Sequence, residues 1–152
     1  MIRRFKFEGD IYETLDFVPM SVRRKLDRAG IKVSLQQWKS LGRGERLAIC
    51  HLPANLEEER EALVIFINEA LERAKAGEAK ILSAEEREVA DPPDEAPQRL
   101  VERATAEGVT LNKEFWQKLD SDERYALMKL GGEAKVGHNF TAALREMVET
   151  HA

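Results

Sequence analysis

The side chains best suited to metal binding or nucleophilic catalysis in this 152-residue chain are one cysteine and three histidines: Cys50, His51, His138 and His151. Cys50 and His51 are neighbours, so on a helix their side chains point about 100° apart. No other histidine, cysteine or carboxylate stands at ligand spacing from any of the four. Because a structural zinc site needs four ligands, we predict that the chain binds no metal, with Cys50 buried and His51 at the surface.

The sequence patterns of other catalytic sites are also missing. Gly42-Arg43-Gly44 has neither the lysine nor the preceding strand of a phosphate-binding loop. No serine, histidine and aspartate form a recognisable nucleophilic group, and no pair stands out among the 28 carboxylates. We therefore predict a protein that is not an enzyme, with no catalytic residues and no cofactor. The alternative is an enzyme or small-ligand carrier with a site between two repeated segments of the chain.

Glu45-Arg46 recurs as Glu123-Arg124, and the recurrence extends far beyond this pair. Residues 19–52 align without gaps on residues 97–130, at an offset of 78, with 8 identities in 34 positions, where average composition gives about two. The pattern predicts one small helical unit present twice, with Trp38 and Trp116 as core anchors and the Glu-Arg pairs in structural roles. The identical residues of the first copy are Pro19, Gly30, Trp38, Leu41, Glu45, Arg46, Ala48 and Leu52.

This repeat determines the predicted fold. We expect an all-α protein, a single compact helical domain over residues 1–152, with the first copy at about 19–76 and the second at about 97–150. Residues 77–96 are predicted to be a linker with a short helix, because Asp91-Pro92-Pro93 interrupts regular structure. The loose alternation of apolar residues in 2–8 predicts a short extended N-terminal arm or strand.

Cap residues delimit the predicted helices. Pro19 begins a helix over about 20–29 that Gly30 ends. Ser34 and Gln37 form a capping box for the next helix, which is predicted to bury one apolar face. That face consists of Leu35, Trp38 and Leu41. The later helices are predicted to begin at Glu45, at Asn55 as the cap of the longest helix (about 56–76), at Ser83, at Asp120, and near Asn139 or Thr141.

Charge is distributed unevenly along the chain. Residues 1–46 carry 11 lysines and arginines against 6 carboxylates, whereas residues 47–95 carry 5 against 13. A basic surface raises the encounter rate with an acidic partner, so we predict a docking face in the N-terminal third. The alternative role of these cations is internal pairing with the acidic segment 57–61. The candidate docking residues are Arg23, Arg24, Arg28 and Lys32, with Lys129 and His138 as a second choice.

Residues 22–41 also have the outline of a helix-turn-helix, with a glycine turn between two helices. The helix that would enter the DNA groove contains Lys39 as its one cation, and its second copy contains Glu114. The chain has a net charge of −4, whereas nucleic-acid-binding proteins carry a basic footprint. DNA binding is therefore the weakest of the alternatives, and we predict no nucleic-acid partner.

The sequence also argues against a membrane protein. The longest unbroken apolar run covers residues 62–67, whereas a membrane span needs about 20 residues. The basic residues at positions 3, 4 and 6 are followed by no apolar stretch, so no signal peptide is predicted. A single cysteine excludes an internal disulfide and fits a reducing compartment. We predict a cytoplasmic protein without a membrane partner, and the oligomeric state stays open.

Two stretches of the chain carry a family resemblance. The first is Phe5-Lys6-Phe7-Glu8, followed by Val18-Pro19-Met20, Val22-Arg23, Lys25-Leu26-Asp27, residues 30–33, Leu35 and Trp38. The second runs from Trp116 through residues 124–130 to His138-Asn139-Phe140, Ala143-Leu144 and Glu146. Together they resemble the nitrate reductase-associated proteins, small proteins of cyanobacteria and other bacteria, over nearly the whole chain.

The resemblance implies a cytoplasmic accessory factor of nitrate assimilation, one that helps nitrate reductase reach its active, cofactor-loaded form. It supplies no catalytic residues, because the family has no agreed biochemical activity. The residues and the resemblance together predict a non-enzymatic accessory or assembly factor that acts by protein–protein binding. Its candidate partner is nitrate reductase.

Overall fold

A computed structural model describes residues 2–133 and 137–152, and it is mostly helical, as predicted. The chain divides into two compact units. The first unit contains residues 2–4 and 8–90, and the second contains residues 5–7 and the described residues of 91–152. That the whole chain forms a single domain derived from two copies of one unit stays a prediction.

The first unit combines helices with one small sheet. Strands β1 (Ile31–Lys32) and β2 (Lys80–Ile81) pair antiparallel, with Ile31 opposite Ile81 and Lys32 opposite Lys80. Helix α2 packs against α5 and α6, and α4 packs against α5, so α2 and α5 are central to the unit. The helices are α1 (Ile11–Thr14), α2 (Met20–Ala29), α3 (Leu35–Ser40), α4 (Arg43–His51), α5 (Glu57–Arg73) and α6 (Ala84–Glu88).

The second unit is helical wherever its described residues form regular structure. Helix α9 packs against both α7 and α10. The N-terminal residues of this unit join it through Phe7, whose N–H donates to Glu146 Oε1 (2.8 Å). The helices are α7 (Gln98–Ala106), α8 (Lys113–Lys118), α9 (Ser121–Gly131) and α10 (His138–Thr150).

Corresponding helices of the two units start at the offset that the alignment predicts. Helices α7, α8 and α9 begin 78 residues after α2, α3 and α4. The tryptophans follow the same rule. Trp38 and Trp116 are both fully buried, and their Nε1–H groups donate to Leu15 O (2.8 Å) and Pro93 O (3.0 Å), which are also 78 residues apart. The prediction that both tryptophans are core anchors is confirmed.

Local sequence explains most of the helix ends. Gly30 and Gly108 have φ angles of 82° and 81°, a left-handed conformation in which glycine avoids the clash of a Cβ. Ser34, Ser83 and Asp120 each accept a hydrogen bond from the third residue of their helix, and each forms a capping box, as predicted for Ser34. These caps set the start of α3, α6 and α9.

Four expectations differ from the structure. Residues 2–5 are irregular and Lys6–Glu8 form a 3-10 turn, so no strand forms there. Helix α5 is capped at Leu56 rather than Asn55, because the Glu59 carboxylate reaches both N–H groups. Leu35 is exposed, since α3 is short and buries only Trp38. Residues 77–90 are more than a linker, because they supply β2 and α6 to the first unit.

Candidate protein interaction surface

Cations gather around Gly30 in the first unit. Arg28 precedes Gly30 by two residues at the end of α2, and Lys32 follows it by two residues on β1. The Arg87 side chain crosses Gly30 closely enough that a Cβ there would lie 3.1 Å from its Nε, and its guanidinium donates to Arg28 O (3.1 Å). Lys80 stands opposite Lys32 in the sheet. We call Arg28, Lys32, Lys80 and Arg87 the basic face.

Two of the predicted docking residues, Arg23 and Arg24, are not part of the basic face. Arg24 lies one turn before Arg28, and its Nε–H donates to Ala90 O (2.9 Å), so it ties α2 to the end of the α6 segment. Arg23 is exposed, but five residues separate it from Arg28, which places the two about 140° apart around the helix. Arg28 and Lys32 thus flank Gly30, whereas Arg24 has a structural role and Arg23 lies on a different side of α2.

Lys80 and Arg87 were not predicted from the sequence. They are more than 45 residues from Arg28 along the chain and fall within the acidic segment 47–95. Strand pairing and the packing of α6 on α2 bring them to the basic face. A signal was available only in part: the capping box at Ser83 predicted α6, but no local pattern indicated which helix it would contact.

One carboxylate on the basic face has a cation as its partner. Glu86 Oε2 lies 3.5 Å from Lys80 Nζ. The Ser83 N–H donates to this carboxylate, and this bond, followed by the nearby Ser83 hydroxyl and Lys80, lowers the pKa of Glu86. Within the described ranges, the side chains of Arg28 and Lys32 form no ion pair, with Glu57–Glu61 or with any other carboxylate. The internal-pairing alternative is therefore not seen for these two cations.

A half-buried lysine and the single cysteine affect each other's pKa in the first unit. Lys25 Nζ donates to Leu52 O (2.7 Å) at the end of α4. Burial lowers the pKa of Lys25 to about 8, an effect that nearby Cys50 partly offsets. Burial raises the pKa of the Cys50 thiol, and Lys25 and Arg4 act in the opposite direction. The thiol is thus kept protonated and shielded, the opposite of an activated nucleophile.

The recurring Glu-Arg pairs have structural roles, as predicted. Glu45 accepts from the Gly42 N–H (2.9 Å), and this bond, with help from Arg73, lowers the pKa of Glu45. Its counterpart Glu123 accepts from the Asp120 N–H (3.0 Å). Arg46 donates to main-chain carbonyls that include Leu15 O, and Arg124 donates to Trp116 O. Both pairs brace the start of a helix against its surroundings.

Polar side chains in the first unit also line a cavity of 640 Å³ beside β2. Ser34, Gln37, Lys75 and Lys80 are on its wall. Ser34 Oγ accepts the Gln37 N–H as a helix cap, so it is not set up as a nucleophile. Among residues 2–133 and 137–152, no three histidine, cysteine or carboxylate side chains are grouped to hold a metal ion. The cavity is therefore a polar one, in which Ser34 acts as a helix cap.

Comparison with known families gives a match over most of the chain. The family described as "conserved nitrate reductase-associated protein" matches residues 4–147. The chain belongs to this family. Searches of curated proteins and of solved structures gave no match. The resemblance noted in the sequence is confirmed, and the basic face lies within the matched region.

Several residues that carry the family resemblance have clear structural roles in this family member. Gly30 provides the left-handed turn below Arg87, and the tryptophans anchor the two cores.

The second-choice docking residues belong to the second unit. Lys129 Nζ lies 5.6 Å from the centre of the Tyr125 ring, and His138 is exposed as the first residue of α10. Their role in docking stays a prediction.

Among the described residues, no helix is both long enough and apolar enough to cross a bilayer.

Proposed function

We propose that this nitrate reductase-associated family member is a non-enzymatic accessory or assembly factor in the cytoplasm, which binds nitrate reductase through the basic face. The family match over residues 4–147 is the observation that supports the proposal most. The basic face supports it further, because the structure gathers four cations there from separate parts of the chain.

The charge arrangement favours an acidic protein surface as the partner. Lys32 and Lys80 stand directly opposite each other, and like charges in that position are unfavourable unless a counter-charge is near. Glu86 contacts Lys80, which leaves Lys32 and Arg28 available to carboxylates of a partner. Such contacts raise the association rate and weaken as salt is added.

The helix-turn-helix alternative has less structural support. Helix α3, the would-be recognition helix, has six residues and is therefore only about 9 Å long. Its tryptophan is buried, and its one cation, Lys39, lies 5.6 Å from the Phe17 ring centre. A groove-reading helix instead exposes several polar side chains along one face.

Affinity capture from nitrate-grown cells tests the proposal. Tagged protein should retain nitrate reductase, detected by immunoblot and by activity. The double variant Arg28→Glu/Lys32→Glu should lose at least about 90% of the captured enzyme, because it reverses two of the four cations of the basic face. Its melting temperature should stay within about 2 °C of the parent, since neither side chain forms an ion pair with another described residue.

Two control variants separate specific docking from general charge. Arg99→Glu/Lys118→Glu makes the same change in net charge at exposed residues of the second unit and should capture normally. Arg23→Glu changes an exposed cation on another side of α2 and should also capture normally. The proposal is wrong if all variants capture equally, or if the parent protein retains no nitrate reductase.

A further inference from the structure

Strand β2 has an open edge at one residue. In an antiparallel ladder, successive residues direct their N–H and C=O groups alternately toward the paired strand and away from it. Leu82 N–H donates to Gly30 O (2.9 Å), and Lys80 is paired with Lys32. The main-chain N–H and C=O of Ile81, which lies between these two positions, therefore point away from β1.

The neighbouring groups on that edge already have acceptors. Ala79 N–H donates to Asn68 Oδ1 (3.1 Å), and Ser83 N–H donates to Glu86 Oε1 (3.1 Å). Ile81 lies between them without such an acceptor among the described residues. Its side chain is 81% exposed, the highest value for a large apolar residue in the part of the chain that the structure describes. One strand position thus combines open main-chain groups with an uncovered apolar side chain.

The surroundings of Ile81 favour an acidic ligand. Lys80 precedes it, Lys32 stands across the ladder from Lys80, and both belong to the basic face. The polar cavity that Lys80 lines adjoins the same strand. Unpaired strand edges attract other extended chains, and proteins commonly block them with covering elements or charged side chains. The Glu86 carboxylate near this edge is already paired with Lys80, whereas Arg28 and Lys32 form no ion pair among the described residues, so these two cations favour an acidic chain.

We propose that an extended, acidic segment of the partner docks at Ile81 as a short third strand. One residue of the segment exchanges two main-chain hydrogen bonds with Ile81, the apolar side chain of that same residue covers the isoleucine, and carboxylates elsewhere in the segment contact the basic face. This inference rests on the proposed function and adds the binding mode, which is strand addition. A helical segment could not do the same, because its main-chain groups are already bonded internally.

Binding of purified nitrate reductase to the full chain tests the inference. Ile81→Asp should raise the Kd at least about tenfold, because it removes the apolar contact and adds a charge that repels an acidic segment. Ile65→Asp is the matched control: Ile65 is also an exposed isoleucine, 58% accessible on α5, and its replacement should change the Kd less than about twofold. Circular dichroism should show both variants folded.

Hydrogen exchange gives a second measurement that needs no substitution. Amide exchange in a peptide covering residues 79–83 should slow when nitrate reductase is added, because the Ile81 N–H gains an acceptor. If Arg28→Glu/Lys32→Glu abolishes binding while Ile81→Asp binds normally and 79–83 exchanges as before, the strand inference is overturned and the proposed function stands. If the parent protein does not bind nitrate reductase, both are overturned.

Discussion

The two units join corresponding helices through different pairs of polar side chains. In the first unit, Arg73 at the end of α5 donates to Glu45 Oε2 (3.0 Å). In the second unit, His151 just after α10 places Nε2 3.0 and 2.9 Å from the two carboxylate oxygens of Glu123. Arg73 and His151 are 78 residues apart in the sequence, and so are Glu45 and Glu123. The first pair is 62% and 28% exposed, whereas the second is 21% and 3% exposed.

This difference shows that position in the fold does not determine the energy of a contact. Water screens the Arg73–Glu45 pair, and such surface pairs contribute about 0–1 kcal/mol. Glu123 is buried, so losing a partner would leave a carboxylate that water cannot solvate. Two contacts at one repeat position are thus expected to differ several-fold in their effect on unfolding.

The largest expected effect concerns the tryptophan that is buried in each unit. Trp38→Ala and Trp116→Ala should each lower the free energy of unfolding by about 3–5 kcal/mol, because each empties a fully buried site. Urea denaturation followed by circular dichroism measures both values. If the two cores are equivalent, the two losses should agree within about 1 kcal/mol.

Phenylalanine variants sharpen this result. Trp38→Phe and Trp116→Phe keep an aromatic ring but remove the indole N–H, which leaves the carbonyl of Leu15 or Pro93 without its donor. We expect each to cost about 1–3 kcal/mol in addition to the loss of ring size. A negligible loss at one tryptophan only would contradict the equivalence of the two sites.

The next effect should separate the units. His151→Ala should lower the free energy of unfolding by about 2–3 kcal/mol, because it leaves the buried Glu123 carboxylate with one neighbour fewer. Arg73→Ala should cost less than about 1 kcal/mol, since Glu45 stays hydrated. Urea denaturation of the two variants at one pH and salt concentration gives the comparison directly.

A double variant is the control for this pair. Adding Glu123→Gln to His151→Ala should recover part of the loss, because the buried group is then neutral. Equal losses for His151→Ala and Arg73→Ala would show that burial does not distinguish the two contacts.

The smallest expected effect concerns a second equivalent pair. Lys25 and Arg103 are also 78 residues apart. Lys25 donates to Leu52 O at the end of α4, and Arg103 donates to Gly131 O at the end of α9. Burial lowers the pKa of Lys25 to about 8 from its ordinary 10.5. An arginine stays charged throughout this range, so of these two corresponding cations only Lys25 can be neutralised by mild alkali.

This difference predicts a pH dependence with a defined sign. Between about pH 8 and 10.5 the unfolded chain binds the Lys25 proton more tightly than the folded chain does, so stability rises with pH in that window. Lys25→Arg lacks this titration, and the parent should therefore gain stability relative to Lys25→Arg as the pH rises from 8 to 10. Both proteins should carry Cys50→Ala, because the thiol also titrates. A constant difference across the range would contradict the lowered pKa.

Much of the fold could be predicted because it depends on local sequence. Ser34, Ser83 and Asp120 act as caps through residues only three positions away, and Gly30 and Gly108 end helices through their own backbone angles. The tryptophans were recognisable as core residues because they recur at one offset. These features need no knowledge of which helix lies next to which.

The rest depended on contacts between distant segments. Helix α5 is capped at Leu56 rather than at Asn55 because the Glu59 side chain reaches two N–H groups at once. Lys80 and Arg87 join the basic face only after β2 pairs with β1. The burial of Glu123 under His151 links residues 28 positions apart, and nothing in the spacing of charges distinguishes it from the exposed Glu45–Arg73 pair.

Cys50 can serve as a probe of how often the first unit opens. It is the only thiol in the chain, it is buried in the first unit, and its counterpart at position 128 is methionine. A thiol reagent can reach it only when that unit opens, so the rate of labelling reports how often the first unit opens while the second contributes no signal. The labelling rate can be measured for each variant, with and without a partner. It therefore reports the opening of the first unit without any engineered label.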